Sequence, residues 1–183
     1  PGLLGTEDAL VFWGLATPTG YTASPVRWVR VLSNNNLGVM SGGESTVILA
    51  SSSGGVTAAD VAAVAANYEN PRKYWGGLHV TSAALLSIPL VCVVHVRAAS
   101  GRTLAEVEES VAVALANFLD VVGDDWSRNA SPSIYSSKVV AVIDSADPAA
   151  IVWVEWTGFA GPIVLAWNEF PEWNTAGIAY QYG

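Results

Sequence analysis

Residues 103–122 constrain the fold more than any other stretch, because they read only as a long amphipathic helix. Thr103-Leu104-Ala105-Glu106 is a complete capping box, in which the Thr hydroxyl and the Glu carboxylate each satisfy a free backbone N–H of the first turn. Leu104, Val107, Val111, Leu115, Phe118 and Val122 then recur at three- and four-residue spacing and form one apolar stripe. Glu106, Glu109 and Asn117 fall off that stripe, and Gly123 is placed to end the helix. At about 1.5 Å per residue such a helix is about 30 Å long. It needs a second layer to bury its stripe.

The run Ile88 to Ala98 supplies that layer. Both of its faces are apolar as far as Val94, which predicts a central strand covered at least partly on both sides. Further strands are expected at Leu37–Met40 and Glu44–Ala50, joined by Ser41-Gly42-Gly43, and at Gly76–Ser82, Ala149–Trp156, Pro162–Trp167 and Thr175–Tyr182. A second helix is expected over Thr57–Asn70, with Thr57 as N-cap and Asp60 three residues on. A weaker one is expected over Ser133–Ser145, with Ile134, Val139, Val142 and Ile143 as its buried set. Ser24-Pro25 suits either a helix start or the lead-in to a strand. The fold class is therefore α+β: two small mixed α/β-sheet subdomains with helices packed on the sheets. They span residues 24–84 and 85–183, after an irregular N-terminal segment over residues 1–23.

Charge is scarce. Only 13% of residues are charged, against about 25% in a typical soluble domain. That leaves apolar surface which other protein is expected to cover. A bilayer is not the sink, since no run of about 20 uncharged apolar residues occurs. The first residues give no secretory signal either. A net charge of -8 argues against binding nucleic acid through its phosphates, and Arg72-Lys73 is the sole adjacent basic pair. Cys92 has no second cysteine to bridge and lies in an apolar run, as a buried thiol does. Eight tryptophans are many for 183 residues, and tryptophan is enriched at protein interfaces. The interface candidates are Trp13, Trp28, Trp75, Trp156, Trp167, Phe170, Trp173, Tyr180 and Tyr182.

Catalytic signals are thin. His79 and His95 are the two histidines, and His95 falls in the alternation Val91, Val93, His95, Arg97 along one strand face. No nucleophile elbow, phosphate loop, dinucleotide fingerprint or zinc-protease motif is present. Asp120, Asp124 and Asp125 cluster near the helix end without the alternating oxygen ligands of a calcium loop. Glu169 and Glu172, set among Trp167, Phe170 and Trp173, could form a carboxylate pair for glycoside hydrolysis, although the rim of an interface is the plainer reading. Asn129-Ala130-Ser131 fits a glycosylation acceptor but is followed by Pro132. No catalytic, cofactor or metal residue is assigned.

The order of elements resembles the baseplate J-like family, wedge proteins of contractile phage tails and related injection systems. The resemblance is carried by Gly43-Glu44-Ser45-Thr46-Val47-Ile48-Leu49, by Val56-Thr57-Ala58-Ala59-Asp60 opening a helix, and by Pro71-Arg72 before the next strands. Gly101-Arg102-Thr103-Leu104 opens the long helix, and Ser131 to Asp147 matches the one after it. Asn168-Glu169-Phe170-Pro171, followed by Ala176-Gly177-Ile178-Ala179, closes the match. It covers roughly residues 40 to 183, and Asp147-Pro148-Ala149 departs from the family's Pro-Gly turn. The resemblance implies a structural subunit of a virion tail baseplate, made in the host cytoplasm, that contacts copies of itself and other tail proteins. It implies neither an enzyme nor a cofactor. The alternative is a carbohydrate-binding, host-recognition module using Trp153, Trp156, Trp167 and Trp173 as a stacking platform.

Overall fold

A computed structural model of the protein describes residues 7–33, 45–51, 55–69, 77–129 and 131–183. The expected strand Leu37–Met40, the Ser41–Gly43 turn, Arg72, Lys73 and Trp75 lie outside the described residues. The fold is α+β, with four helices and three small sheets among the described residues. It divides into two compact units. The first is Pro1–Ala84 with Trp126–Asn129, and the second is Leu85–Asp125 with Ala130–Gly183.

In the first unit, α1 (Glu7–Leu15) precedes β1 (Trp28–Ser33), β2 (Ser45–Ala50), α2 (Ala58–Ala66) and β3 (Leu78–Ser82). The sheet order is β1-β2-β3. β1 pairs antiparallel with β2, and β3 pairs parallel with β2 after the α2 crossover. Thus Ser24-Pro25 leads into a strand, and that strand takes the pairing partner expected of Leu37–Met40. The predicted cap of α2 is present: Thr57 Oγ1 accepts from the Asp60 N–H, while Asp60 accepts from the Thr57 N–H. Val29 and Leu49 face the core with Leu10, Val26, Val47, Val56, Val64 and Tyr68.

The irregular segment expected over residues 1–23 instead contains α1. Its apolar residues show no helical period, so local pattern did not reveal it. Tertiary hydrogen bonds hold it, two of them at its C-terminal end, where carbonyls lack intrahelical partners. Tyr68 Oη donates to Leu10 O at 2.7 Å, and Asn67 Nδ2 donates to Trp13 O and Ala16 O. The approach is close at Gly14, where a Cβ would lie 2.8 Å from both Tyr68 Oη and a Val29 methyl.

The opposite face of the first sheet holds a buried cation. Arg30 is 2% exposed, its guanidinium lies 4.3 Å from the Trp126 ring centre, and Nη2 donates to Asn129 O at 2.5 Å. Nε donates to Trp126 O at 2.6 Å. This explains why the long helix does not stop at Gly123. It runs Leu104–Arg128 (α3), and its last turn belongs to the first unit because the fully buried Trp126 ring is seated there.

The second unit is built on β4 (Ala84–Val96), the centre of a β6-β4-β8 sheet formed with β6 (Ile151–Trp156) and β8 (Glu169–Tyr182). Between them come β5 (Ser133–Ile134), α4 (Ser136–Asp144) and β7 (Ile163–Val164), with β5 and β7 pairing to each other. The capping box of α3 forms as expected, with Thr103 N–H donating to Glu106 at 2.8 Å. Val107, Val111, Leu115 and Val122 of the α3 stripe are buried, as are Val139 and Ile143 of α4. Asp147 closes the turn before β6. Its carboxylate accepts from the Ala150 N–H and from Arg102 Nε at 3.0 Å.

β4 is central in its sheet, and its two faces are covered unequally. Ile88, Leu90, Cys92, Val94 and Val96 are buried, whereas on the alternate face Val93 and His95 are half-buried and Pro89 and Val91 are exposed.

Replacing Arg30 with Leu would remove its donors from the carbonyls of buried Trp126 and exposed Asn129, and the cation from the indole face. The expected cost is about 3 kcal/mol, from one or two unsatisfied acceptors plus a desolvated cation–π contact. Urea denaturation of wild type and Arg30→Leu measures it.

Candidate functional site

The uncovered face of the β6-β4-β8 sheet is the part of the second unit where polar and aromatic side chains converge. β6 runs antiparallel to β4, with His95 opposite Trp153 and Val93 opposite Glu155, and the Thr157 N–H extends the ladder by donating to Val91 O. β8 flanks β4 on the other side in the same direction. Gly177 lies against Leu90 and Val91, Gln181 against His95, and the Gly183 N–H donates to Val96 O. Because side chains alternate along each strand, one face carries three rows. Thr157, Val91 and Gly177 form the first, Glu155, Val93 and Ala179 the second, and Trp153, His95 and Gln181 the third. Glu155 is the single carboxylate among these nine positions.

The third row is ordered by its own contacts. The His95 and Trp153 rings stack with centroids 3.9 Å apart and planes 8° from parallel. Gln181 Nε2 lies 3.3 Å from His95 Nδ1 and can donate to it, and His95 Nε2 lies 3.5 Å from a Glu155 oxygen. No hydroxyl or thiol of a described residue is hydrogen-bonded to His95, so this His–carboxylate pair has no nucleophile at hand. Trp153 remains 47% exposed, held by its histidine neighbour rather than by the core. On the β8 side, a Cβ at Gly177 would meet Leu90 O at 2.8 Å, so that corner of the face is kept low by the close approach of two backbones.

The opposite face of the same sheet is closed by α3. Trp173 Nε1 donates to Leu115 O and its ring lies parallel to Phe118. Tyr182 Oη donates to Arg102 O. Burial, with Glu108 and Cys92 adding to it, pushes the Tyr180 hydroxyl up to about 12. Burial also raises the Cys92 thiol, in keeping with an inert side chain.

The interface candidates from the sequence are therefore dispersed. Trp28 is 4% exposed and Phe170 1%, so both rings belong to the chain's own core. Trp13 packs against the first unit's core. Trp156 folds over Gly158, donates to Phe159 O and meets that ring edge to face. Trp173 and Tyr180 are half-buried, whereas Trp167 and Tyr182 are exposed. Trp75 lies outside the described residues. Of the four rings in the stacking platform, Trp156 and Trp173 are thus engaged within the chain.

The other chemical candidates do not assemble. Glu169 accepts from the Ala166 N–H and closes its own turn, whereas Glu172 is exposed three residues further along β8. No group of three or more His, Cys, Asp or Glu among the described residues could hold a metal ion, which includes Asp120, Asp124 and Asp125. His79 is exposed on β3. An open groove of about 430 Å³ is lined by Arg102, Glu106, Glu109, Ser110, Val113 and Ala146. Its Arg102 is committed to Asp147 and its Glu106 to the helix cap. No helix among the described residues is long and apolar enough to cross a membrane.

No protein-family model matches the chain, and no curated protein matches it. Reading the sequence found the strand face of His95 but missed Glu155 and Gln181. The alternation of β4 was legible, whereas the identity of its neighbours depends on pairings 60 and more residues away.

The raised Tyr180 hydroxyl gives a test of the closed face. Tyr180 stays neutral in the folded chain above its ordinary value of 10, where an unfolded chain ionises. Its contribution is fully present below pH about 10 and is lost as pH rises through about 12. Stability should fall over that window, and Tyr180→Phe should make the fall shallower in urea titrations at stepped pH.

Proposed function

We propose that the chain is a structural subunit of a phage-type tail baseplate, contacting copies of itself and other tail proteins through exposed sheet surface. The observation that carries this reading is the uncovered face of the β6-β4-β8 sheet. Nine neighbouring positions hold one charge, and Val91 and Trp153 stand exposed there. A sheet face turned to water ordinarily alternates to polar residues. Apolar exposure in one patch marks a surface that another protein covers.

The resemblance to the baseplate J-like family adds the kind of assembly. In the second unit it runs through the opening of α3, the Ser131–Asp147 segment that holds β5 and α4, and β8 with the turn before it. The α+β architecture accommodates it. The arrangement around His95 supports no catalytic assignment, and the engaged rings of Trp156 and Trp173 weaken the glycan-platform alternative.

Sedimentation velocity on the purified chain over a hundredfold concentration range tests the reading. The expected result is mass-action self-association, weakened by Trp153→Ala and Val91→Ser, with unchanged circular dichroism. A chain that stays monomeric at its highest soluble concentration is not such a subunit.

A further inference from the structure

We infer that the free edge of β6 pairs antiparallel with β6 of a second copy of this chain, joining two three-stranded sheets into one of six strands. The inference rests on the assembly reading above and names its partner surface.

β6 is an edge strand among the described residues, since the sheet order places β4 on one side of it and no described strand on the other. Its backbone directions follow from the ladder. Thr157 donates its N–H to Val91 O and so points inward to β4. Glu155 and Trp153, two and four residues back, share that direction. Val154 and Trp156 therefore turn their N–H and C=O groups outward, to the open edge. No hydrogen bond from another described element reaches those groups.

Natural edge strands are usually protected by Lys, Pro or inward-pointing charge. β6 reads Ile-Val-Trp-Val-Glu-Trp, with no Lys, no Pro, no Gly and one charge. Short, uncharged, β-branched and aromatic segments of this kind are those that pair readily when an edge is free. A bulge interrupts the β4 ladder between Trp153 and Ile151, which leaves the Trp153–Trp156 half as the regular part.

Charge selects the register. A two-fold antiparallel pair must place like faces opposite each other, so it is centred on a residue. Centring on Glu155 sets two carboxylates face to face, which is unfavourable. Centring on Val154 sets each Glu155 beside the other copy's Trp153. It also sets the outward-pointing Val154 residues opposite one another as a hydrogen-bonded pair. Both open faces then lie on the same side of the combined sheet. The ladder is short against the roughly 800 Å² per partner of a stable interface, so a weak, concentration-dependent dimer is expected.

Two experiments on the 183-residue chain decide it. In the first, sedimentation equilibrium compares wild type with Val154→Pro. Proline removes an N–H that points to the free edge and no bond to β4, so self-association should be lost while the far-ultraviolet spectrum is kept. In the second, Trp153→Cys and Glu155→Cys variants are made separately, mixed and oxidised. The mixture should yield a disulfide-linked pair, while each variant alone should yield far less. Cys92 is 2% exposed and does not compete. The cross-link reports register even if Val154→Pro fails to fold. Association of wild type with no cross-link in the mixture overturns the edge pairing and leaves the assembly reading standing. A wild-type chain that never associates overturns both.

Discussion

The second unit depends on one alternation, the buried comb of Ile88, Leu90, Cys92, Val94 and Val96 along β4. Burying a branched apolar side chain is worth about 2 kcal/mol. The comb is thus comparable with the whole net stability of a small domain, and the unit cannot fold without it. Period two fixes the consequence. Once the even-numbered residues are committed inward, Val91, Val93 and His95 must face the other way. The apolar open face is therefore a by-product of register that the sequence did not correct with charge. Thr157, Glu155, His95 and Gln181 supply polarity in all three rows, but only Glu155 brings a charge.

In the first unit the corresponding constraint is Arg30. A guanidinium 2% exposed is costly unless its donors are met. Here carbonyls of Trp126 and Asn129 meet them, and the Trp126 ring covers the cation. The arrangement recruits residues from a helix that otherwise belongs to the second unit. It also accounts for a glycine inside a helix. Gly123 does not stop α3, because the seating of Trp126 outweighs the loss of about 1 kcal/mol that a mid-helix glycine carries.

What was legible in the sequence is what local chemistry decides. The caps at Thr57–Asp60 and Thr103–Glu106 are short-range hydrogen bonds, and both were readable from spacing. The α+β class and most strands followed from periodicity. The rest was long-range. α1 is held through Asn67 and Tyr68, more than 50 residues away. The unequal covering of β4's two faces could not be told from equal covering, since Val91 and Val93 are apolar either way. The candidate site was half legible: His95 was placed on its face, but Glu155 and Gln181 arrive there by pairing. Counting aromatic residues did not set Trp28 and Phe170, which are buried, apart from the exposed rings, because a large ring fills a core as readily as it covers an interface.

Scarcity of charge is also not uniform across the chain. α3 alone carries Glu106, Glu108, Glu109, Asp120, Asp124, Asp125 and Arg128, whereas the nine positions of the open sheet face carry Glu155. Charge segregated in this way divides the labour of the surface. A second copy approaching helix first would meet like charges, which raise the cost of contact. The sheet face offers little repulsion and much apolar area. Approach through the sheet is thereby favoured over approach through the helix, before any specific contact forms. Trp153, fixed against His95 at 3.9 Å, has already lost most of its side-chain freedom, so covering it carries little further entropic cost. A ring immobilised in advance on a face without charge is what distinguishes this surface from the exposed valines of α3, which stand singly among carboxylates.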